Sequence, residues 1–117
     1  PRDVISRLEV MVTQGGSNMP LIAIRQQIAA AVDLLVQIAR LSDGTRRCTS
    51  ITEVTGMEGE VVTLQDLFVF EKRGLNQEGR VVGRFSATGI RPKFYEKLMA
   101  AGIKLPMEMF ESYEEVK

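Results

Sequence analysis

PLIAIRQQIAAAVDLLVQIARLSDGTRR, residues 20–47, is the most apolar part of the chain, and its reading decides where everything else goes. Leu21, Ile24, Ile28, Ala31, Val32 and Leu35 recur at steps of three and four, the spacing of one helix face. Arg25, Gln26, Gln27 and Ala30 fall opposite, and the run of three alanines favours helix. A helix is therefore expected over 20–32. Near Asp33 the period changes. Residues 34–41, LLVQIARL, are too uniformly apolar for a surface helix and read as a strand over 33–41, buried on both faces. Pattern alone leaves open whether the helix stops before Val32 or after Leu35. Ser42-Asp43-Gly44-Thr45 then predicts a two-residue hairpin turn, because Asp-Gly between strand-like runs favours one.

Upstream, Val4, Ile5, Leu8, Met11 and Val12 form one apolar stripe, so a helix is expected over 2–14. Pro1 suits its first turn. Gln14-Gly15-Gly16-Ser17-Asn18 ends it. Downstream, β-branched Thr49, Ile51, Thr52 and Val54 predict a returning antiparallel strand over 46–55. Gly56-Met57-Glu58-Gly59 reads as a turn. A third strand is expected over 60–70, with Val62, Leu64, Phe68 and Phe70 on one face and Asp66 interrupting it. Residues 71–79 read as the tip of another hairpin. A fourth strand follows over 80–88, its apolar face made by Val81 or Val82 with Phe85. Phe94, Tyr95, Leu98, Met99 and Ala101 predict a short helix over 92–101, closed by Gly102. The tail, 105–117, carries Glu108, Glu111, Glu114 and Glu115, with a short helical turn around 107–110. Taken alone this order is α+β. The helix leading into a doubly buried strand has an α/β flavour, that of the last unit of a larger sheet.

Composition excludes several function classes. The chain has 117 residues, 44% hydrophobic and 26% charged, as an ordinary soluble domain does. Fifteen basic and fifteen acidic residues cancel, so no bulk charge attracts nucleic acid or an anionic membrane. A nucleic-acid surface built on Arg46, Arg47, Lys72 and Arg73 gains no support, since no aromatic residues interleave with them. No apolar run approaches the ~18 residues of a membrane span, and the N-terminal PRDVISRLEV lacks a signal-peptide core. There is no histidine and one cysteine, Cys48. That removes the commonest general base near neutrality, any intramolecular disulfide and a zinc site of the usual kind. Starting directly in a helical pattern without an initiator Met, the chain reads as a piece of a longer protein.

No phosphate-binding loop G-x-x-x-x-G-K-[ST] and no G-x-G-x-x-G is present. Serines and threonines have no histidine to activate them. Cys48 sits beside Arg46 and Arg47, whose charges favour a thiolate, although a small strand residue is the plainer reading. Glu53, Glu58, Glu60 and Asp66 offer carboxylates without a desolvated pair. Catalytic, cofactor-binding and metal residues are therefore expected to be none. The arginines remain, because a guanidinium suits oxyanions and subunit interfaces. Arg40, in an apolar strand, is expected to have a partner. With Arg46 and Arg47 it forms the set of interface candidates.

The pieces RLE (7–9), AIRQQIA (23–29), RLSDGTRR (40–47), ITEVTGMEGEVVTLQDLF (51–68) and TGIRPKF (88–94) change the reading. In this order, over most of residues 1–104, the chain resembles the C-terminal part of the ATPases of tight-adherence (Flp) pilus assembly. These are the CpaF/TadA kind, within the type II/type IV secretion ATPase superfamily. The resemblance implies a RecA-like P-loop core working as a hexameric, cytoplasmic ring peripheral to the inner membrane. There ATP hydrolysis drives secretion or pilus assembly. The family's Walker A, Walker B, Asp-box and His-box elements lie upstream of this part. Its His box ends in a segment like H-A-N-x-PRD-A-x-x-RLE, and this chain begins at PRD. No residue here matches a nucleotide-contacting motif of the family, and a single cysteine excludes the four-cysteine zinc element of some members. The implied role is sheet completion and subunit packing, inactive alone, with ATP and Mg belonging to the parent. The implied partners are further copies of itself and the inner-membrane platform protein, and the expected state of the chain is a dimer or larger. The competing expectation is a stand-alone β-rich module, without catalysis, that holds a peptide strand along an exposed sheet edge.

Overall fold

A computed structural model describes residues 2–16 and 18–111. The readings placed on Pro1, Ser17 and the tail from 112 to 117, with Glu114 and Glu115, lie outside the described residues. The elements run α1 (Arg2–Gln14), α2 (Leu21–Ala31), β1 (Leu34–Arg40), β2 (Arg46–Glu58), β3 (Val61–Leu75), β4 (Val81–Ala87), α3 (Phe94–Ala100) and a 3-10 turn at Met107–Phe110. The four strands pair in chain order. Connections this short force each neighbour to run antiparallel, so the fold is mixed α+β, three helices with one antiparallel sheet. The chain divides into two compact units. One holds the residues up to Leu35 with Thr52–Gln65, the other Val36–Ile51 with the residues from Asp66 onward.

The first unit is built around an apolar cluster of Ile5, Ile24, Ile28, Leu35, Val54 and Val62, with Val4, Leu8 and Val12 of α1 packed against it. Burying each such side chain is worth roughly 1.5–3 kcal/mol. The α1 stripe is narrower than its spacing suggests, because Met11 is 64% exposed and Val10 joins it on the outside. Leu21, expected on the buried face of α2, is also exposed. The open question at the end of α2 is settled by Val32, whose backbone turns extended (φ −102°, ψ 124°) while its N–H caps the Ile28 carbonyl. The Asp33 carbonyl then accepts from Val54 N–H at 2.9 Å, tying the chain to β2 as it leaves the helix. Arg25 is the polar clamp of this unit. Its Nε lies 2.8 Å from Glu9 Oε1, and its Nη1 donates to the Glu60 carbonyl at 3.1 Å. Arg2 Nη1 donates to the Val62 carbonyl at 2.7 Å. Thr55 Oγ1 reaches Thr63 Oγ1 across β2 and β3 at 2.8 Å.

The second unit holds Leu67, Val81, Ala87, Tyr95 and Phe110 as its buried apolar residues. Phe68 stacks on Phe85 at 5.8 Å and meets Phe110 at 6.0 Å. Tyr95 meets Phe110 edge-on at 6.3 Å, and its hydroxyl donates to the Leu105 carbonyl. Leu67, 1% exposed, lies on the face of β3 opposite the one the alternation favours, so both faces of this strand are used. Asp66 does not break the strand.

Strand β3 instead continues through 71–75, where a loop was expected, and β2 continues through Gly56 to Glu58. Only Gly59 and Glu60 form the turn between them. The tip of the last hairpin is Gln77, Glu78 and Gly79, closed by Asn76 N–H to the Arg80 carbonyl at 2.9 Å and by Gly79 (φ 77°). Of the two valines left open on β4, Val81 is buried and Val82 exposed.

The largest correction concerns β1. Leu34, Val36 and Ile38 are 41%, 59% and 66% exposed, while Leu35 is buried. The strand is apolar on both faces but buried on one, because Leu35 joins the core that the helices cover while the face of Leu34, Val36 and Ile38 meets solvent. A second constraint sits at Gly83. A Cβ there would run into the Glu71 carbonyl oxygen and the Phe70 ring, next to a bulge between Lys72 and Gly74. Overpacking of this kind costs typically 1–3 kcal/mol. Gly83→Ala is therefore expected to lower unfolding stability by about that much in urea titrations, and an unchanged midpoint would disprove the close approach.

Candidate functional site

The three candidate arginines all lie on the β1–β2 hairpin, so its turn sets their positions. Leu41 N–H donates to the Thr45 carbonyl at 2.8 Å, and Gly44 N–H to the Leu41 carbonyl at 2.9 Å. The loop is therefore Ser42-Asp43-Gly44, three residues rather than the expected two, with Gly44 in the left-handed region (φ 84°). This is the hairpin in which a final left-handed glycine restores strand direction. The extra residue exists because Asp43 caps the loop itself. Its Oδ1 accepts from Thr45 N–H at 2.9 Å and from Thr45 Oγ1 at 2.6 Å, the side-chain-to-backbone closure that Asp supplies in turns. Its Oδ2 accepts from Val81 N–H at 2.8 Å.

These bonds act on the Asp43 carboxyl, the one clearly shifted group among the described residues. The Thr45 hydroxyl, then the Thr45 and Val81 N–H groups, with a smaller pull from Arg47, lower the Asp43 pKa from 3.8 to about 2. A carboxylate held below its usual range contributes stability that is complete above about pH 4 and lost as pH falls through about 2.

Continuing the Leu41–Thr45 pair one step outward sets Arg40 opposite Arg46, the terminal residues of their strands. The Thr49 Oγ1 bond to the Gln37 carbonyl fits the same register. Both arginines are exposed, and neither has a side-chain hydrogen bond or ion pair among the described residues. The partner expected for Arg40 is not found among the described residues, where the guanidinium lies at the end of an edge strand in solvent. Arg47, one residue on, takes the other face. It is half-buried, 5.5 Å from the Phe70 ring centroid, and Nη2 donates to the Val81 carbonyl at 3.4 Å. The structure thus brings Arg40 and Arg46 together and sets Arg47 apart as a packing residue.

The other candidates have local explanations. Cys48 is free and half-buried, its thiol 3.6 Å from the Ser50 carbonyl. Glu53 is 3% exposed and accepts from Gln65 Nε2 at 2.6 Å. Among the described residues no three His, Cys, Asp or Glu side chains converge on a metal position, and no helix is long and apolar enough to cross a membrane. Two facing guanidiniums, without an acidic partner among the described residues, stand beside the exposed Val36 and Ile38 as a basic and apolar surface. Sequence reasoning missed Asp43, although an Asp followed two residues later by Thr is the signature of a self-capped turn. No family model matches this chain, and no curated protein matches it.

Like charges directly opposite across strands destabilise, and opposite charges stabilise, by roughly 0.2–1 kcal/mol. Arg46→Glu should therefore raise stability by about that amount, with the gain shrinking in high salt. Equal stability of variant and parent at low salt would show that Arg40 and Arg46 are not paired. Asp43→Ala should flatten the acid limb of stability between pH 4 and 2 in unfolding titrations. A limb as steep as in the native chain would remove Asp43 as its source.

Proposed function

We propose that this chain is the C-terminal segment of a hexameric secretion ATPase of the pilus-assembly kind, and that its work there is to complete the sheet and pack against a neighbouring subunit. The observation that carries the reading is the ordered run of sequence pieces from RLE at 7–9 to TGIRPKF at 88–94. It is supported by the exposed apolar face of β1 and the facing Arg40 and Arg46, both suited to covering by protein. An apolar strand left in solvent at a sheet end is a surface that natural proteins usually cover. Two guanidiniums beside it, without an ion pair among the described residues, suit carboxylates on the covering surface.

In this reading the ring is cytoplasmic and peripheral to the inner membrane, and the platform protein there is a further partner. ATP and Mg belong to the rest of the ATPase. This chain offers no phosphate-binding loop, and its residues take no part in hydrolysis.

The test has two arms. The purified chain should show no ATP turnover, and robust hydrolysis by it would sink the reading. In an ATPase carrying this segment, the double variant R40E/R46E should lower the fraction of assembled rings in sedimentation while leaving subunit folding intact. Rings formed as readily as by the parent would remove these arginines from the interface.

A further inference from the structure

The opposite end of the sheet holds a different feature. Strand β4 is an edge, and a cleft of about 490 Å³ runs beside it. Four consecutive residues, Arg84, Phe85, Ser86 and Ala87, line that cleft. Side chains alternate between faces along a strand, so a cavity touched by four in succession lies along the strand's lateral edge. The far wall is the segment of the 3-10 turn, with Pro106, Glu108, Met109 and Glu111.

The hydrogen-bond phase shows what that edge offers. Thr88 N–H donates to the Leu67 carbonyl at 2.9 Å, and the register pairs Phe68 with Ala87, Val69 with Ser86 and Phe70 with Phe85. In an antiparallel pair, residues alternate between bonding their neighbour and facing away. Arg84, Ser86 and Thr88 therefore bond β3. Phe85 and Ala87 turn their N–H and C=O groups outward, toward the cleft. Beside this row stand apolar Phe68, Phe85 and Met109. Glu108 and Glu111 add two exposed carboxylates that have no ion pair among the described residues.

We infer that the β4 edge and this cleft bind an extended peptide by strand addition, with an apolar side chain against Phe68, Phe85 and Met109 and a basic side chain toward Glu108 and Glu111. An extended chain is the occupant that uses the outward N–H and C=O groups and the apolar wall together. The cleft volume falls within the range of ligand sites. Two carboxylates against the one guanidinium of Arg84 in the same lining leave the cleft with an acidic balance, which sets the sign of the preferred charge. The inference does not depend on the ATPase reading, since it concerns the other edge of the sheet and none of its residues are Arg40, Arg46 or Arg47.

The test is amide NMR on the full chain with the blocked pentapeptide Ac-Lys-Val-Phe-Val-Lys-NH₂ and its counterpart with Glu at both ends. The basic peptide should shift the amides of Arg84 to Ala87. It should slow hydrogen exchange at Phe85 and Ala87 but not at Ser86, which is already bonded to β3. The double variant E108K/E111K should weaken the basic peptide and strengthen the acidic one, each by about tenfold, the scale of two solvent-exposed ion pairs. The inference is overturned by no shift at millimolar basic peptide, or by shifts without the alternating protection. Equal binding of both peptides to the native chain overturns it too. So does a concentration-dependent shift of the same amides without peptide, which would assign the edge to a second copy.

Discussion

A sheet whose strands pair in chain order has two ends, and its own strands cannot cover them. Each end leaves a row of backbone donors and acceptors without strand partners. In this protein the two ends are β1 and β4, and the chain treats them differently. At β1 the outer face is bare aliphatic, with Val36 and Ile38 more than half exposed and Arg40 at the strand's end. At β4 the exposed edge is flanked by an aromatic cluster and by the 3-10 turn, which together leave a cleft rather than a flat face. The first is a surface suited to protein of similar flatness, the second a groove suited to a single extended chain.

The two compact units are stabilised by different means. In the first, two helices bury isoleucines against strand residues, and one guanidinium, Arg25, serves the Glu9 carboxylate and the Glu60 carbonyl together. In the second, aromatic contacts among Phe68, Phe85, Phe110 and Tyr95 dominate. A single carboxylate there, Asp43, closes its own loop and also accepts from the first residue of β4. Asp43 thus ties the arginine-bearing hairpin to β4 through its carboxylate.

Much of this was legible in the chain. Two amphipathic helices, four strands in order and a short C-terminal helix follow from local spacing and turn chemistry, which act over a few residues. The misplacements have separate causes. Residues 71–75 were read as loop because they are polar and glycine-bearing, yet pairing with β4 carries them as strand through a bulge at Lys72/Gly74. The loop at 42–44 gained a residue because the Asp43 side chain satisfies backbone groups that a shorter turn would leave to water.

By itself, then, the sequence determined the order and type of the elements, the absence of a histidine or phosphate-loop chemistry, and the positions of the arginines along the chain. Only the tertiary structure decided which apolar face of β1 stays exposed, that Arg40 faces Arg46 while Arg47 packs on Phe70, and that Leu67, off the face the alternation favours, is buried as deeply as Val62 on it. The physical reason is that hydrophobic periodicity reports how a segment prefers to be covered, whereas the covering comes from residues distant in the chain. A strand of uniformly apolar residues carries the same local signal at the centre of a sheet and at its end.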